Sequence, residues 1–320
     1  MKKRTVYILM STIVALSVAF FAVVYFFNLE SDIKPIVAKV DPSAEPVFAN
    51  ALYGEFNQPL NKPMDVTKIG EFIYVSDTNN KQVQVFDQSG TSVFKFGTEG
   101  TGEGQFKFPY GIAGDKDGNV YVADLYNANI SIFNDKGKFL KYFNDEEKVL
   151  KSPGGLRISD QKLYVTDIKA NKIFVFDLNG KKLMEIGGAG ADEGKFIAPN
   201  AVTVDLDKNI YVTDSGNNRV QIFDKNGKFI RIINGSKDGK GDPTFLNPRG
   251  VAVDSKGNVY VVNNLAHNIN AFDKDGKELF DLGGMGTENG KLYLPNGLFI
   301  DDRDTLFVTD TVNQRISVYY

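Results

Sequence analysis

The chain has 320 residues, 37 basic and 40 acidic side chains, one histidine and no cysteine, for a net charge of −3 at pH 7. The lack of cysteine excludes thiol catalysis, disulfides and zinc–thiolate centres, and one histidine makes a His-based catalytic zinc site a poor assignment. The even charge balance argues against a nucleic-acid surface, which calls for a basic domain.

Residues 1–4 (MKKR) are basic, and residues 5–28 carry no charge, proline or glycine. A helix needs about 20 apolar residues to cross a bilayer, so the run is read as a transmembrane signal anchor over 5–29. A cleaved signal peptide is the alternative. Its apolar core would usually be shorter, about 7–15 residues with small residues at the cut, whereas Phe20, Phe21, Tyr25, Phe26 and Phe27 leave a poor cleavage site. The positive-inside rule places residues 1–4 in the cytoplasm and the rest of the chain outside. Residues 30–45, with Pro35, Pro42 and mixed charges, read as a linker or stalk.

From residue 46 the sequence repeats. The stretch YVTDSGNNRVQIFDKNG beginning at Tyr211 has counterparts beginning at Tyr74, Tyr121, Tyr164, Tyr260 and Phe307, at intervals of 43 to 49 residues. Each copy holds short runs of β-branched and aromatic residues bounded by Asp, Asn and Gly, the pattern of strands and hairpin turns. In the fourth copy these runs, a to d, cover 200–205, 209–214, 219–224 and 228–234. Six such units imply an array, and radial packing buries both faces of each unit without leaving a long open edge.

Four motifs carry a resemblance. They are a P-x-G-V strand start (Pro248 to Val251), the strand Asn209 to Asp214, the strand Asn218 to Asp224, and a glycine-rich segment closing on phenylalanine (Gly187 to Phe196). The units resemble NHL repeats over residues 46–320. The resemblance implies an all-β fold, a six-bladed β-propeller of four-stranded antiparallel blades, here following an N-terminal transmembrane helix. The sixth copy supplies three runs, and 47–53 is an unassigned strand-like run before the first. Pairing of 47–53 with 315–320 is therefore expected to close the ring.

Several motifs that suggest chemistry have plainer readings. The glycine-rich segments 97–104 and 187–194 precede no helical pattern, so they read as blade connections and not as phosphate loops. The run from Asp115 resembles the start of a calcium loop but has Tyr126 where Glu is required, and reads as a hairpin turn. Asp77, Asp124, Asp167, Asp214 and Asp310, with Asn263 in the fifth copy, each open a b–c loop and read as turn-capping scaffold, with Arg219 and Arg315 as ion-pair partners.

The a–b and c–d turns at one end of the blades are repetitive. The b–c loops and d–a crossings at the other end vary, and variable loops on a rigid scaffold are where function tends to sit. Candidate binding residues at that end are Met64, Tyr110, Leu125, Tyr126, Ile168, Lys169, Asn200, Arg249, Leu265, His267, Asn296 and Val312. Tyr110 and Tyr126, on one blade, are expected to lie close together. The chain is similar to the extracytoplasmic sensor propellers of some bacterial receptor kinases. That similarity implies a membrane-anchored, non-enzymatic binding, scaffold or sensor module for a protein, peptide or glycan; the charge balance argues for no nucleic acid, and one histidine with no cysteine for no cofactor. The alternative is a propeller hydrolase or lyase with calcium at the channel mouth. Asp65, which replaces the glycine of P-x-G, would hold it together with Asn200 and Asn296.

Overall fold

The computed structural model describes residues 45–145, 147–236 and 242–320. The expected membrane segment over 5–29 and the stalk up to residue 44 lie outside the described residues. Among the described residues no helix is long and apolar enough to cross a membrane.

Six four-stranded antiparallel sheets form the blades of a propeller. In strands a to d, blade 1 comprises Pro63–Ile69, Phe72–Asp77, Gln82–Phe86 and Ser92–Phe96. Blade 2 comprises Pro109–Gly114, Val120–Asp124, Asn129–Phe133 and Phe139–Tyr142. Blade 3 comprises Pro153–Ser159, Lys162–Asp167, Lys172–Asp177 and Lys182–Gly187. Blade 4 comprises Pro199–Val204, Ile210–Asp214, Arg219–Phe223 and Phe229–Ile233. Blade 5 comprises Pro248–Val253, Val259–Asn263, Asn268–Phe272 and Glu278–Gly283. Blade 6 takes Leu298–Ile300, Leu306–Asp310 and Arg315–Tyr319 from one part of the chain and Phe48–Tyr53 from another, with Tyr53 opposite Arg315 and Phe48 opposite Tyr319. The ring is thus closed by strand pairing between residues more than 260 positions apart.

Burial follows strand position. The b and c strands of blade 1 are covered on both faces and are buried along almost their whole length, while its d strand alternates partly covered and exposed residues. A strand with one wet face needs only every second residue to be apolar. An apolar core fills each of the six blade interfaces. Between blades 1 and 2, Val83, Val85, Phe106, Val120, Val122 and Phe133 are at most 1% exposed. Burying each such side chain contributes roughly 1.5–3 kcal/mol.

The c–d turns of blades 1, 3, 4 and 5 are built on D-x-x-G, and that of blade 2 on Asn134-x-x-Gly137. In blade 4, Asp224 Oδ1 accepts the N–H groups of Asn226 and Lys228, and Gly227 takes a φ of +80° that a side chain would resist.

The leading prolines of blades 1 to 5 each sit at a register break in the a–b pairing. The break brings neighbouring inner strands close together at the axis. A Cβ on Gly111 would lie 2.2 Å from the Gly154 carbonyl oxygen of the next blade, and one on Gly155 would lie 2.6 Å from that of Asn200. The glycine of P-x-G is therefore a close-packing contact in blades 2, 3, 5 and 6, while Asp65 and Ala201 stand at that position in blades 1 and 4.

Candidate functional site

The acidic series beside the b–c loops is scaffold. Asp77, Asp214 and Asp310 accept the backbone N–H of Asn61, Ile197 and Tyr293 at 2.7, 2.8 and 2.7 Å, each in the crossing that leads into the same blade. Asn263 accepts that of Leu246 at 2.7 Å in blade 5. Arg219 pairs with Asp214 at 2.8 Å and Arg315 with Asp310 at 2.9 Å. Burial raises the Asp77 and Asp310 carboxyls above the usual range, against the pull of their hydrogen bonds.

The residues after the leading prolines converge on the axis. The Tyr110 hydroxyl of blade 2 donates to Asn200 Oδ1 of blade 4 at 2.7 Å and lies 3.4 Å from Asn296 Oδ1 of blade 6. Asn296 Nδ2 in turn faces Met64 Sδ of blade 1 at 3.7 Å. Met64, Tyr110, Asn200 and Asn296 are buried at 7, 5, 3 and 6% exposure. They close one mouth of the central channel and do not form an exposed binding face. Arg249, half-buried beside them, holds Tyr110 by charge, although burial raises the Tyr110 hydroxyl overall.

Beneath this plug lies a cavity of about 200 Å³, lined by residues of all six inner strands, including Asp65, Arg157 and Phe299. Lys68, Arg157 and Phe299 also line a wider space of about 660 Å³ among the a–b turns, at the other end of the channel. Asp65 Oδ1 accepts the Val66 N–H and Oδ2 accepts the Ile112 N–H of the next blade, each at 3.0 Å. Its carboxylate thereby makes an inter-blade link at a position where blades 2, 3, 5 and 6 carry glycine and blade 4 carries Ala201. Burial, the largest influence, pushes the Asp65 carboxyl up to about 7, while its backbone hydrogen bonds and Arg157 pull the other way.

Asp65, Asn200 and Asn296 share this cavity, as the calcium reading requires, but the donor set fits calcium poorly. Both Asp65 oxygens face backbone N–H groups, and the Asn200 and Asn296 oxygens face the Tyr110 hydroxyl. Calcium takes roughly six to eight oxygen ligands.

A family model described as "6-bladed beta-propeller" matches residues 143–209, and an NHL repeat model matches residues 196–223. The chain is a six-bladed β-propeller with an NHL repeat matched at residues 196–223. It is 28% identical over 137 residues to Protein brain tumor of Drosophila melanogaster, covering 42% of this chain and 13% of that protein. It is 36% identical over 74 residues to the E3 ubiquitin-protein ligase TRIM71 of Rattus norvegicus, covering 21% of this chain and 9% of that one. The chain therefore spans a small part of the curated relatives it matches. Among solved structures it is similar to a catalytically inactive virginiamycin B lyase from Staphylococcus aureus with quinupristin, at TM-score 0.58 and 16% identity over 86% of this chain and 88% of that one. A Bacteroides thetaiotaomicron protein of unknown function matches at TM-score 0.59 and 16% identity, over 85% and 72%. At these identities the likeness shows the fold alone.

The other candidate residues lie on the variable end of the propeller. Tyr126, Leu265 and Val312 are 64, 55 and 45% exposed. Lys169 is exposed, and Leu125 and Ile168 are half-buried. His267 is structural: its Nδ1 accepts the Leu294 N–H at 3.1 Å and its ring packs 5.2 Å from Tyr293, tying blade 5 to blade 6. Tyr110 and Tyr126 flank Phe108, at 6.3 and 4.8 Å, so a third ring stands between them. Lys62 and Lys81 lie 5.3 and 5.9 Å from the same Phe108 ring. Phe108 was not among the candidates. Its signal was an aromatic residue directly before Pro109, where the other blades carry Lys62, Ser152, Ala198, Asn247 and Leu294. Phe56, Ile197, Leu246 and Met285, in the crossings of the same end, are likewise exposed.

Proposed function

We propose that this propeller is a non-enzymatic binding module that docks a protein or peptide on its variable end, and that residues 5–29 hold it at the outer face of a membrane. One observation carries the docking: exposed Tyr53, Phe56, Tyr126, Ile197, Leu246, Leu265, Met285 and Val312 share one end, twice as many as the Val47, Phe72, Leu206 and Tyr320 exposed at the turn end. An apolar cluster on one face calls for an occupant in a way that scattered apolar residues do not. The Phe108–Tyr126 pair under Lys62 and Lys81 adds the aromatic anchor common at binding hot spots. The membrane placement rests on the basic residues 1–4 and the uncharged run that follows.

The docking is tested by a photo-crosslinking amino acid placed at Leu265 or, as a control on the opposite end, at Lys256, in intact cells. A discrete crosslinked partner from the first site and none from the second is expected. Equal products from both sites would refute the assignment. Placement is tested by external protease on intact cells, which is expected to remove epitopes beyond Ser43. Full protection would contradict it, and release of the whole domain into the medium would favour the cleaved signal peptide.

A further inference from the structure

The channel holds one charged group that the blade scaffold does not use. At the fourth residue after the leading proline, the inner strands carry Thr67, Ala113, Arg157, Thr203, Ala252 and Phe299, so Arg157 is the one charge in that layer. Its guanidinium carbon lies 5.3 Å from the Phe299 ring centroid. Its Nε is shielded and donates to nothing, and among the described residues its side chain makes no hydrogen bond or ion pair. Lys68, the other cation lining the cavity, is already paired with Asp301 at 2.6 Å. The Asp65 carboxylate acts on Arg157 only through space, because its oxygens are turned to Val66 and Ile112. Arg157 is half-buried, with Nε shielded and the end of its guanidinium facing the cavity without a protein partner, and that planar fork matches a carboxylate.

The geometry points to a binding site for a small monocarboxylate inside the channel, with the acid group on Arg157 and a short apolar tail against Ile112, Val202 and Leu298. The cavity of about 200 Å³ admits a small acid and not a peptide. A single free guanidinium with Asp65 nearby suits a monoanion better than a phosphate dianion, which would need further cations. Access is from the turn end, because Tyr110 and its partners close the other mouth; the wider space there is lined by Lys68 and Arg303 but also by six acidic residues, Asp205 and Asp301 among them, so Arg157 at its inner limit must supply the attraction for an anion. This site lies at the opposite end from the docking face, and its test does not depend on that face having a partner.

The probe is butyrate, with butyramide as its uncharged isostere, added to the full chain and followed by melting temperature and ligand-observed saturation-transfer NMR. Butyrate is expected to raise the melting temperature and show saturable transfer, and butyramide to do neither. Arg157→Gln is expected to weaken butyrate binding at least ten-fold. Arg157→Lys, which keeps the charge without the fork, is expected to retain weaker binding and serves if the glutamine variant does not fold. Equal responses to butyrate and butyramide, no response to either, or undiminished butyrate binding in the glutamine variant would overturn the proposal.

Discussion

The hydroxyl of Tyr110 reaches 2.7 Å to Oδ1 of Asn200, joining blade 2 to blade 4 across the axis of the ring. A residue placed at the variable end by its position in P-x-G is thus part of the channel plug. Tyr110→Phe leaves a buried amide oxygen short of its donor and is expected to cost about 1–3 kcal/mol. Tyr110→Ala also opens a cavity and is expected to cost about 3–5 kcal/mol. Denaturant titration of both variants checks this, and an alanine variant as stable as wild type would show that the plug does not hold the ring.

The same folding measurement applies to closure. Arg315 bonds Asp310 and the carbonyls of Thr287, Glu288 and Lys291, and lies 3.4 Å from the Tyr53 hydroxyl of the closing strand. Arg315→Ala strands a buried carboxylate and is expected to cost about 3–5 kcal/mol. Arg219→Ala, at the matching position of blade 4, is expected to cost less, because Arg219 touches no closing strand. Deleting 46–54 is expected to expose the 315–319 edge and cause aggregation, since open edges pair with other chains. Deleting 30–43 is expected to do neither, and equal behaviour of the two deletions would contradict closure by strand 48–53.

Asp65 makes stability depend on pH. Its carboxyl is raised from 3.8 to about 7 in the folded protein. Folding therefore favours its protonated form. That contribution is fully present below about pH 4 and is lost as pH rises to about 7. Asp65→Asn carries no such penalty, so its stability relative to wild type is expected to increase by roughly 4 kcal/mol between pH 4 and pH 8. Paired chemical denaturation at the two pH values reads this difference directly. A difference that is flat across the range would show an ordinary, solvated carboxylate.

The blades were legible because each repeat states its own strand pattern: Tyr211 to Gly227 contains two strands, a loop and a turn, and every other copy repeats some or all of it. The axis was less legible. Tyr110, Asn200 and Asn296 occupy equivalent positions in three repeats, and nothing local says that they meet 90 to 186 residues apart in sequence. Arg157 was missed for the same reason. It reads as an ordinary charge in a strand until the register places its layer around the channel. Phe108 is an ordinary crossing residue until Lys62, Lys81, Tyr110 and Tyr126 gather on it.

The docking account is tested most directly by replacing three exposed loop residues together: Tyr126→Ser, Leu265→Ser and Val312→Ser. Because they are 64, 55 and 45% exposed, the melting temperature is expected to stay near that of wild type. Crosslinking capture of the partner found through Leu265 is expected to be lost, measured with the photo-crosslinker moved to Lys169 on the same end. Undiminished capture by a folded triple variant would contradict the assignment of binding to this face.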